Sequence, residues 1–253
     1  ILVDVRKGVI EQTKRHMFIS SLLGIPHVFV CINKMDLAEY SQVAYDKVVK
    51  EYTEFGAKLN VQDVRFIPMS ALHGDNVVTR SEHMTWYDGG TLLHNLETVH
   101  ISSDHNLRDC RFPVQTVIRP HSNEYHDFRG YAGRVAGGIF KKGDKIVALP
   151  SGLVSTSSVI HTLKSELDQA YPPMSVTITL EDDIDISRGD MLVRDENRPQ
   201  GQQDLDVMLC WLNSTPPRLR AKYVLKQTTA ETRASITNIQ YKIDINTLHR
   251  LEE

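Results

Sequence analysis

The feature that most constrains this chain is a short apolar segment followed directly by a loop with three polar residues. The apolar segment is Val28-Phe29-Val30-Cys31-Ile32, and the loop is Asn33-Lys34-Met35-Asp36. A continuous apolar run of this length predicts a strand that is buried on both faces, as strands of parallel sheets are. In open α/β sheets, ligands bind outside the carboxyl ends of the strands. Residues 33–36 are therefore predicted to form part of a binding site.

The flanking sequence predicts the rest of such a sheet. One further strand is predicted at Ile1–Val5 and another at Val64–Ala71. Between them lie two segments whose apolar residues are spaced as on one face of a helix. The first contains Phe18, Ile19, Leu22 and Leu23, with Gly24 as its C-terminal cap, and the second contains Tyr45, Val48, Val49, Tyr52 and Phe55. Strand, helix, strand, helix, strand is the order of a parallel α/β sheet.

The polar residues at the two strand ends have the chemistry that guanine recognition needs. An N-K-x-D sequence at a strand end resembles the guanine-recognition motif of GTPases, and Ser70-Ala71 resembles its usual second element. The carboxylate of Asp36 can accept from both N1–H and the 2-amino group of guanine, while Asn33 holds the loop and Lys34 lies along the ring. The backbone N–H of Ala71 would meet the base oxygen. The predicted GTP-binding residues are Asn33, Lys34, Asp36, Ser70 and Ala71.

The phosphate-binding loop of a GTPase is missing from the sequence. No G-x-x-x-x-G-K-[ST] pattern occurs, and the nearest spacing, Gly138 to Gly143, is followed by Asp144 where lysine is required. We expect the chain to be a fragment whose phosphate loop and Mg²⁺ ligands precede residue 1. No catalytic residue and no metal ligand are predicted within it, so the chain alone should bind GTP poorly and hydrolyse it negligibly.

The second part of the sequence has a different pattern, with short strands separated by Gly, Pro and Asp. Strands are predicted at Pro113–Ile118, Tyr131–Ala136, Lys145–Leu149, Val159–Leu163 and Ser175–Leu180. Regular short strands of this kind predict a β-barrel, here over residues 108–196. Further strands at Val207–Leu212, Tyr223–Leu225 and Ala234–Tyr241 predict the start of a second barrel over 204–253, and the α/β part covers 1–100.

Composition and charge limit the partners of the protein. The net charge is −3, so no general basic field indicates nucleic acid, and no apolar stretch is long enough to span a membrane. The three cysteines are odd in number and far apart in the sequence, which favours a reducing, cytoplasmic setting over a disulfide framework. We expect neither a nucleic-acid nor a membrane partner.

The order of a GTPase domain and two barrels resembles translation-factor-class GTPases, the class of elongation factor Tu. Several segments resemble more closely the GTPase subunit of bacterial sulfate adenylyltransferase. They are Met69–Val78, Met84–Leu93, Arg119-Pro120, Asp127–Gly133, Leu209–Leu212 and Tyr241–Leu248. The expected fold is therefore multidomain α/β plus β: a partial P-loop GTPase sheet, one β-barrel and part of a second.

The resemblance to this family implies a function that the residues alone do not. The GTPase subunit of that family pairs with a small catalytic subunit, which joins ATP and sulfate into adenosine 5′-phosphosulfate and pyrophosphate. GTP hydrolysis, with Mg²⁺, is coupled to this uphill step. In that reading, Asn33 and Asp36 select guanine, Lys34 shapes the loop, and Ser70 with Ala71 completes the base pocket.

Two other functions remain open at the level of sequence. The same three-domain order would suit an elongation-factor-like GTPase that delivers charged tRNA, and the chain could also be a non-catalytic interaction module. A fused kinase for adenosine phosphosulfate beyond residue 253 is another open possibility. Trp86 and Tyr87 could dock the partner subunit or pack locally.

Overall fold

The computed structural model describes residues 1–59, 61, 63–101, 105–120 and 128–251. It separates into two compact units. The first comprises Ile1–Ile101, Met208–Pro216 and Asn238–Glu253, and the second comprises Ser102–Val207 and Pro217–Thr237. The domain limits 1–100, 108–196 and 204–253 stay a prediction. Residues 102–104, between the predicted α/β part and the predicted barrel, lie outside the described residues, as do Asp127 and the last two residues of the chain.

The first unit contains the parallel sheet that the sequence predicted. Its strands are β1 (Leu2–Asp4), β2 (His27–Asn33) and β3 (Asp63–Pro68), hydrogen-bonded in the order β1-β2-β3. In the register, Asp4 lies opposite Asn33, and Ile32 lies opposite Pro68. The central strand is the most buried, since Val30 and Ile32 have no exposed surface. The parallel α/β architecture is therefore confirmed, with the strand ends at one edge.

Within the described residues, three α-helices accompany this sheet: α1 (Glu11–Leu22), α2 (Gln42–Gly56) and α3 (Leu92–Thr98). Helix α2 has the predicted amphipathic pattern, because it buries Val48, Tyr52 and Phe55 against the core. The Ser41 side chain caps its N-terminus by accepting from the Ala44 N–H. None of the helices in the described ranges is long and apolar enough to cross a membrane.

Helix α1 is confirmed, but its fully buried residues are not the apolar residues from which it was predicted. Gly24 does follow its C-terminus with a φ of +64°, as a C-terminal cap glycine should. However, the buried residues are Thr13 and Met17, whereas Leu23 is 68% exposed. Met17 packs closely against Gly56 at the end of α2, where an added Cβ would clash with the Met17 side chain. This contact between helices sets the rotation of α1. It cannot be predicted from the spacing of the apolar residues along α1 alone.

The second unit is built around the predicted barrel. Its elements are β4 (Phe112–Ile118), β5 (Gly130–Arg134), β6 (Phe140–Lys141), β7 (Lys145–Leu149), β8 (Val154–His161), β9 (Glu166–Leu167), β10 (Gln169–Ala170), β11 (Ser175–Leu180) and β12 (Met191–Arg194). Strands β4-β5-β11-β8-β7-β12 pair in a ring, and β12 closes it by pairing with β4. Phe112, Tyr131 and Ile178 are among its buried core residues. Closure removes free strand edges, and it required β12, which was not predicted.

The C-terminal region contains two short hairpins in the part that the structure describes, up to residue 251. They are β13 (Lys222–Gln227) with β14 (Ala230–Ser235), and β15 (Lys242–Ile243) with β16 (Arg250–Leu251). The predicted strand at Val207–Leu212 is wrong, because this segment pairs with no described strand and leaves Val207 71% and Leu212 83% exposed. A strand needs a neighbour to satisfy its backbone groups, however apolar its side chains are.

A buried hydroxyl in α2 generates a stability prediction. Tyr52 is 1% exposed, and its Oη has no hydrogen-bond partner among the described residues. The Tyr45 hydroxyl on the same helix donates to the Phe66 carbonyl at 3.3 Å. Because an unsatisfied buried hydroxyl is destabilising, we expect Tyr52→Phe to leave the free energy of unfolding unchanged or raise it by about 1 kcal/mol. Tyr45→Phe, the matched control, should lower it by about 1 kcal/mol.

Both tryptophans belong to the first unit, so urea unfolding followed by tryptophan fluorescence measures the relevant transition. A loss of stability in Tyr52→Phe equal to that in Tyr45→Phe would show that the Tyr52 hydroxyl is satisfied after all.

Candidate guanine-binding site

A sharp turn places the first predicted loop at the end of β2. Lys34 has a φ of +67° and a ψ of +35°, in the left-handed region that non-glycine residues rarely adopt. A 3₁₀ helix, Met35–Ala38, follows, and the side chain of Met35 is completely buried. This buried anchor holds the strained residue in place, so that Asn33 and Asp36 lie on either side of a fixed turn. Backbone strain of this kind is concentrated at functional sites.

Backbone hydrogen bonds join this loop to the second predicted loop. The Met69 N–H donates to the Ile32 carbonyl at 2.9 Å, and the Met35 N–H donates to the Met69 carbonyl at 3.2 Å. These bonds continue the pairing of β2 and β3 past the ends of both strands. Ser70 and Ala71 are therefore brought beside residues 33–36, as the sequence predicted for the two motifs.

The side chain of Asn33 links the two loops. Its Oδ1 accepts from the Lys34 N–H at 2.8 Å and from the Ala71 N–H at 2.9 Å. The amide oxygen is thus committed to holding the loops, and the amide NH₂ group is left for other partners. The Ala71 N–H, which was predicted to meet a base oxygen, donates to Asn33 in this structure.

The carboxylate of Asp36 is oriented by Ser70. The Ser70 hydroxyl donates to Asp36 Oδ1 at 2.6 Å, and Ser70 itself has no exposed surface. Asp36 is only 12% exposed at its side chain, and the His73 imidazole Nε2 lies 4.0 Å from its Oδ2. One carboxylate oxygen is therefore fixed by a buried donor, while the other lies beyond normal hydrogen-bond distance of His73. A partly buried, oriented carboxylate is suited to accept from a neutral ligand with two adjacent donors.

The ammonium group of Lys34 is held by an ion pair that the sequence reasoning missed. Lys34 Nζ lies 3.0 Å from Asp4 Oδ2, and Arg6 Nη2 lies 2.7 Å from the same oxygen. Hydrogen bonds from Arg6, and secondarily from Lys34, hold the pKa of Asp4 well below its usual range. Asp4 lies at the end of β1, opposite Asn33, so an acidic residue at a third strand end was the available signal.

The second loop is stabilised by two further residues that were not predicted. Asn76 is buried with a φ of +55°, donates to the Pro68 carbonyl at 2.9 Å and accepts from the Ser81 N–H at 2.9 Å. Asp75 accepts from the Ser81 hydroxyl at 2.7 Å and from the Tyr40 hydroxyl at 3.0 Å. These bonds close the loop on itself and attach it to the segment after the first motif.

Trp86 and Tyr87 pack within the first unit. The Trp86 indole N–H donates to the Tyr40 carbonyl at 3.0 Å, and the Tyr87 hydroxyl donates to the Phe66 carbonyl at 3.0 Å. Both rings are half-buried beside Tyr45 and the hydrophobic core. Of the two readings left open by the sequence, local packing is the one that these contacts support.

The double role of Asn33 Oδ1 generates a prediction about the loops. Asn33→Ala removes the acceptor of the Ala71 and Lys34 amides, and we expect hydrogen exchange of the Ala71 amide to accelerate by about tenfold. Asn33→Asp retains an acceptor oxygen at the same position and serves as the matched control. NMR-detected exchange measures both. Equal acceleration in the two variants would mean that this hydrogen bond does not control the opening of the loop.

Two family models match parts of this chain. Residues 1–128 match the family described as "Elongation factor Tu GTP binding domain", and residues 204–253 match "GTP-eEF1A C-terminal domain-like". Among solved structures, that of sup35 complexed with GMPPNP aligns with a TM-score of 0.48 and 21% identity, over 99% of this chain and 64% of that one.

Curated relatives match over almost the whole chain. The chain is 52% identical to sulfate adenylyltransferase subunit 1 of Bacteroides fragilis over 248 residues. This aligned region is 98% of this chain and 51% of that protein. The chain is 48% identical to the bifunctional enzyme CysN/CysC of Mycobacterium tuberculosis, over 99% of this chain and 41% of that protein. The chain thus spans about half the length, or less, of these relatives. Because the first family match covers half of its residues, the chain belongs to the family of the elongation factor Tu GTP-binding domain.

Proposed function

We propose that residues 33–36 and 70–71 bind the guanine base of GTP. The observation that carries this proposal is the oriented carboxylate of Asp36, fixed through one oxygen by the buried Ser70 hydroxyl. Asn33 and Asp36 select the base, Lys34 shapes the loop, and Ser70 and Ala71 complete the pocket. Membership of a GTP-binding-domain family supports GTP as the nucleotide.

The selectivity follows from matching donors with acceptors. Guanine presents N1–H and the 2-amino group side by side, and both can donate to the two oxygens of Asp36. Adenine presents an acceptor nitrogen and a C–H at the same edge, so the carboxylate would lose its partners and face a second acceptor. A site built for such hydrogen bonds rejects a mismatched ligand by roughly 10⁴-fold, because its buried polar groups are left unpaired.

We infer that the whole protein is the GTPase subunit of a sulfate adenylyltransferase. Relatives about 50% identical over nearly the whole chain are named "Sulfate adenylyltransferase subunit 1", which supports the inference. GTP hydrolysis would be coupled to the formation of adenosine 5′-phosphosulfate from ATP and sulfate, and the sulfate chemistry would take place on a smaller partner subunit. The three unpaired cysteines, Cys31, Cys110 and Cys210, accord with a cytoplasmic setting.

Magnesium, which the resemblance to these GTPases implies, is not assigned a ligand in the part of the chain that the structure describes. In those residues, no three His, Cys, Asp or Glu side chains lie together in a way that could hold a metal ion. We therefore assign no Mg²⁺ ligand among the described residues. What they supply is recognition of the base.

Replacing one carboxylate oxygen of Asp36 with an NH₂ group tests the proposed site. In the whole protein with its partner subunit, Asp36→Asn should lower GTP-supported formation of adenosine phosphosulfate by at least about 100-fold, because the 2-amino group loses its acceptor. Xanthosine triphosphate carries an oxygen where guanine has that amino group. It should restore the activity of the variant, because the new amide can donate to this oxygen.

The readout is sulfate-dependent release of pyrophosphate with each nucleotide. Asp46→Asn, at an exposed position on α2, is the matched control and should keep the preference for GTP. If Asp36→Asn also kept it, Asp36 would not contact the base. If neither nucleotide affected sulfate activation by the unaltered protein, the proposed enzyme would be wrong while the base site could still stand.

A further inference from the structure

The second unit contains a cleft that guanine recognition does not use. The cleft has a volume of about 480 Å³ and lies between strands of the barrel and the turn of the β13–β14 hairpin. Arg134 of β5, Arg188 before β12, and Thr229 at the hairpin turn are among its lining residues. The cleft is thus built from segments that lie far apart in the sequence.

The hairpin turn approaches the barrel closely at Gly189. This residue has a φ of +102°, and an added Cβ would lie 3.5 Å from Ala230 Cα and 3.6 Å from the Thr229 carbonyl oxygen. A glycine at this position accommodates both the backbone conformation and the close approach. The wall of the cleft that Thr228 and Thr229 form therefore has a defined place beside the barrel.

The charged groups of the cleft are cationic. Arg134, Arg188, Lys226 and the ionisable His105 all line it, and none of the described lining residues is Asp or Glu. The Lys226 ammonium is partly compensated, since Glu231 Oε1 lies 3.5 Å away across the hairpin. For Arg134 and Arg188, the described part of the chain provides no salt bridge. The cleft therefore concentrates uncompensated positive charge in a protein whose net charge is −3.

Both guanidinium groups are oriented by neutral acceptors. Arg134 Nε donates to the Pro173 carbonyl at 3.1 Å, and Arg188 Nη1 donates to the Gln115 carbonyl at 2.9 Å. These bonds fix each side chain without neutralising it, and the remaining N–H donors can bind a ligand. Guanidinium groups prefer planar, paired contacts with the oxygens of carboxylates and phosphates.

A hydroxyl at the hairpin turn lacks the partner that its burial requires. The Oγ1 atom of Thr229 is buried and has no hydrogen-bond partner in the described residues. Buried hydroxyls are nearly always hydrogen-bonded, so this one is a donor that the described protein groups leave unused at the wall of the cleft. Pro172, Pro173 and Val135 also line the cleft, and such apolar neighbours strengthen electrostatic contacts by lowering the local dielectric constant.

We propose that this cleft binds a tetrahedral oxyanion, either a sulfate or a phosphate group. Arg134 and Arg188 would neutralise it, and the Thr229 hydroxyl would donate to one of its oxygens. The volume exceeds that of a single ion, so the group can be free or carried by a small molecule. The site lies in the second unit and is independent of the residues that bind guanine.

Titration of this chain with oxyanions, followed by NMR, tests the proposal. Sodium sulfate, sodium phosphate and adenosine 5′-monophosphate are each added at constant ionic strength, with sodium chloride as the reference. We expect saturable shifts of the Arg134 and Arg188 Nε–H signals and of the Thr229 amide with at least one of the three. Sulfate or phosphate alone would identify a free-ion site, and tighter binding of the nucleotide would identify a site for a phosphorylated molecule.

Three variants separate this site from a general effect of charge. Arg134→Gln combined with Arg188→Gln should raise the dissociation constant by at least about tenfold, and Thr229→Val should raise it without lowering thermal stability. Arg218→Gln changes an exposed arginine of the same unit that does not line the cleft, and should leave binding unchanged. Shifts no larger than those with chloride, or equal weakening in Arg218→Gln, would overturn the proposal.

Discussion

The parallel pairing of β2 with β3 is the constraint on which the candidate site depends. It sets Ile32 opposite Pro68, and the Met69 N–H and Met35 N–H continue the pairing beyond the strands. The two loops therefore start side by side, and short side chains suffice to join them, as the Asn33–Ala71 and Ser70–Asp36 hydrogen bonds do. A one-residue slip would move these side chains to the opposite faces of the sheet and separate them.

The sites that we propose in the two units suit different kinds of ligand. In the first, a carboxylate at a strand end is held by a buried hydroxyl and is suited to a neutral base with two donors. In the second, backbone carbonyls hold two arginine side chains without neutralising their charge, and this arrangement is suited to an anion. In both proposed sites, a hydrogen bond within the protein fixes a charged side chain before the ligand binds. Binding then costs less side-chain entropy.

The sequence was informative wherever one local pattern determined the result. The apolar run before Asn33 defined β2, and polar residues at two strand ends identified the loops. Asp4 and Asn76 were missed because their roles arise from the register of β1 and from a loop that closes on itself. The buried residues of α1 were not identified, because Met17 packs against Gly56 of another helix. The strand predicted at Val207–Leu212 was wrong, because this apolar segment has no described strand to pair with. Such tertiary contacts override local propensity.

The central claim is that Asp36, oriented by Ser70, accepts from both donors of guanine. Comparing the affinities of the whole protein for GDP, IDP and ADP tests it most directly, because inosine differs from guanosine only in lacking the 2-amino group. The account predicts that GDP binds about tenfold or more tightly than IDP, from the loss of one charge-assisted hydrogen bond, and that ADP binds more weakly than either. Equal affinities for GDP and IDP would contradict it.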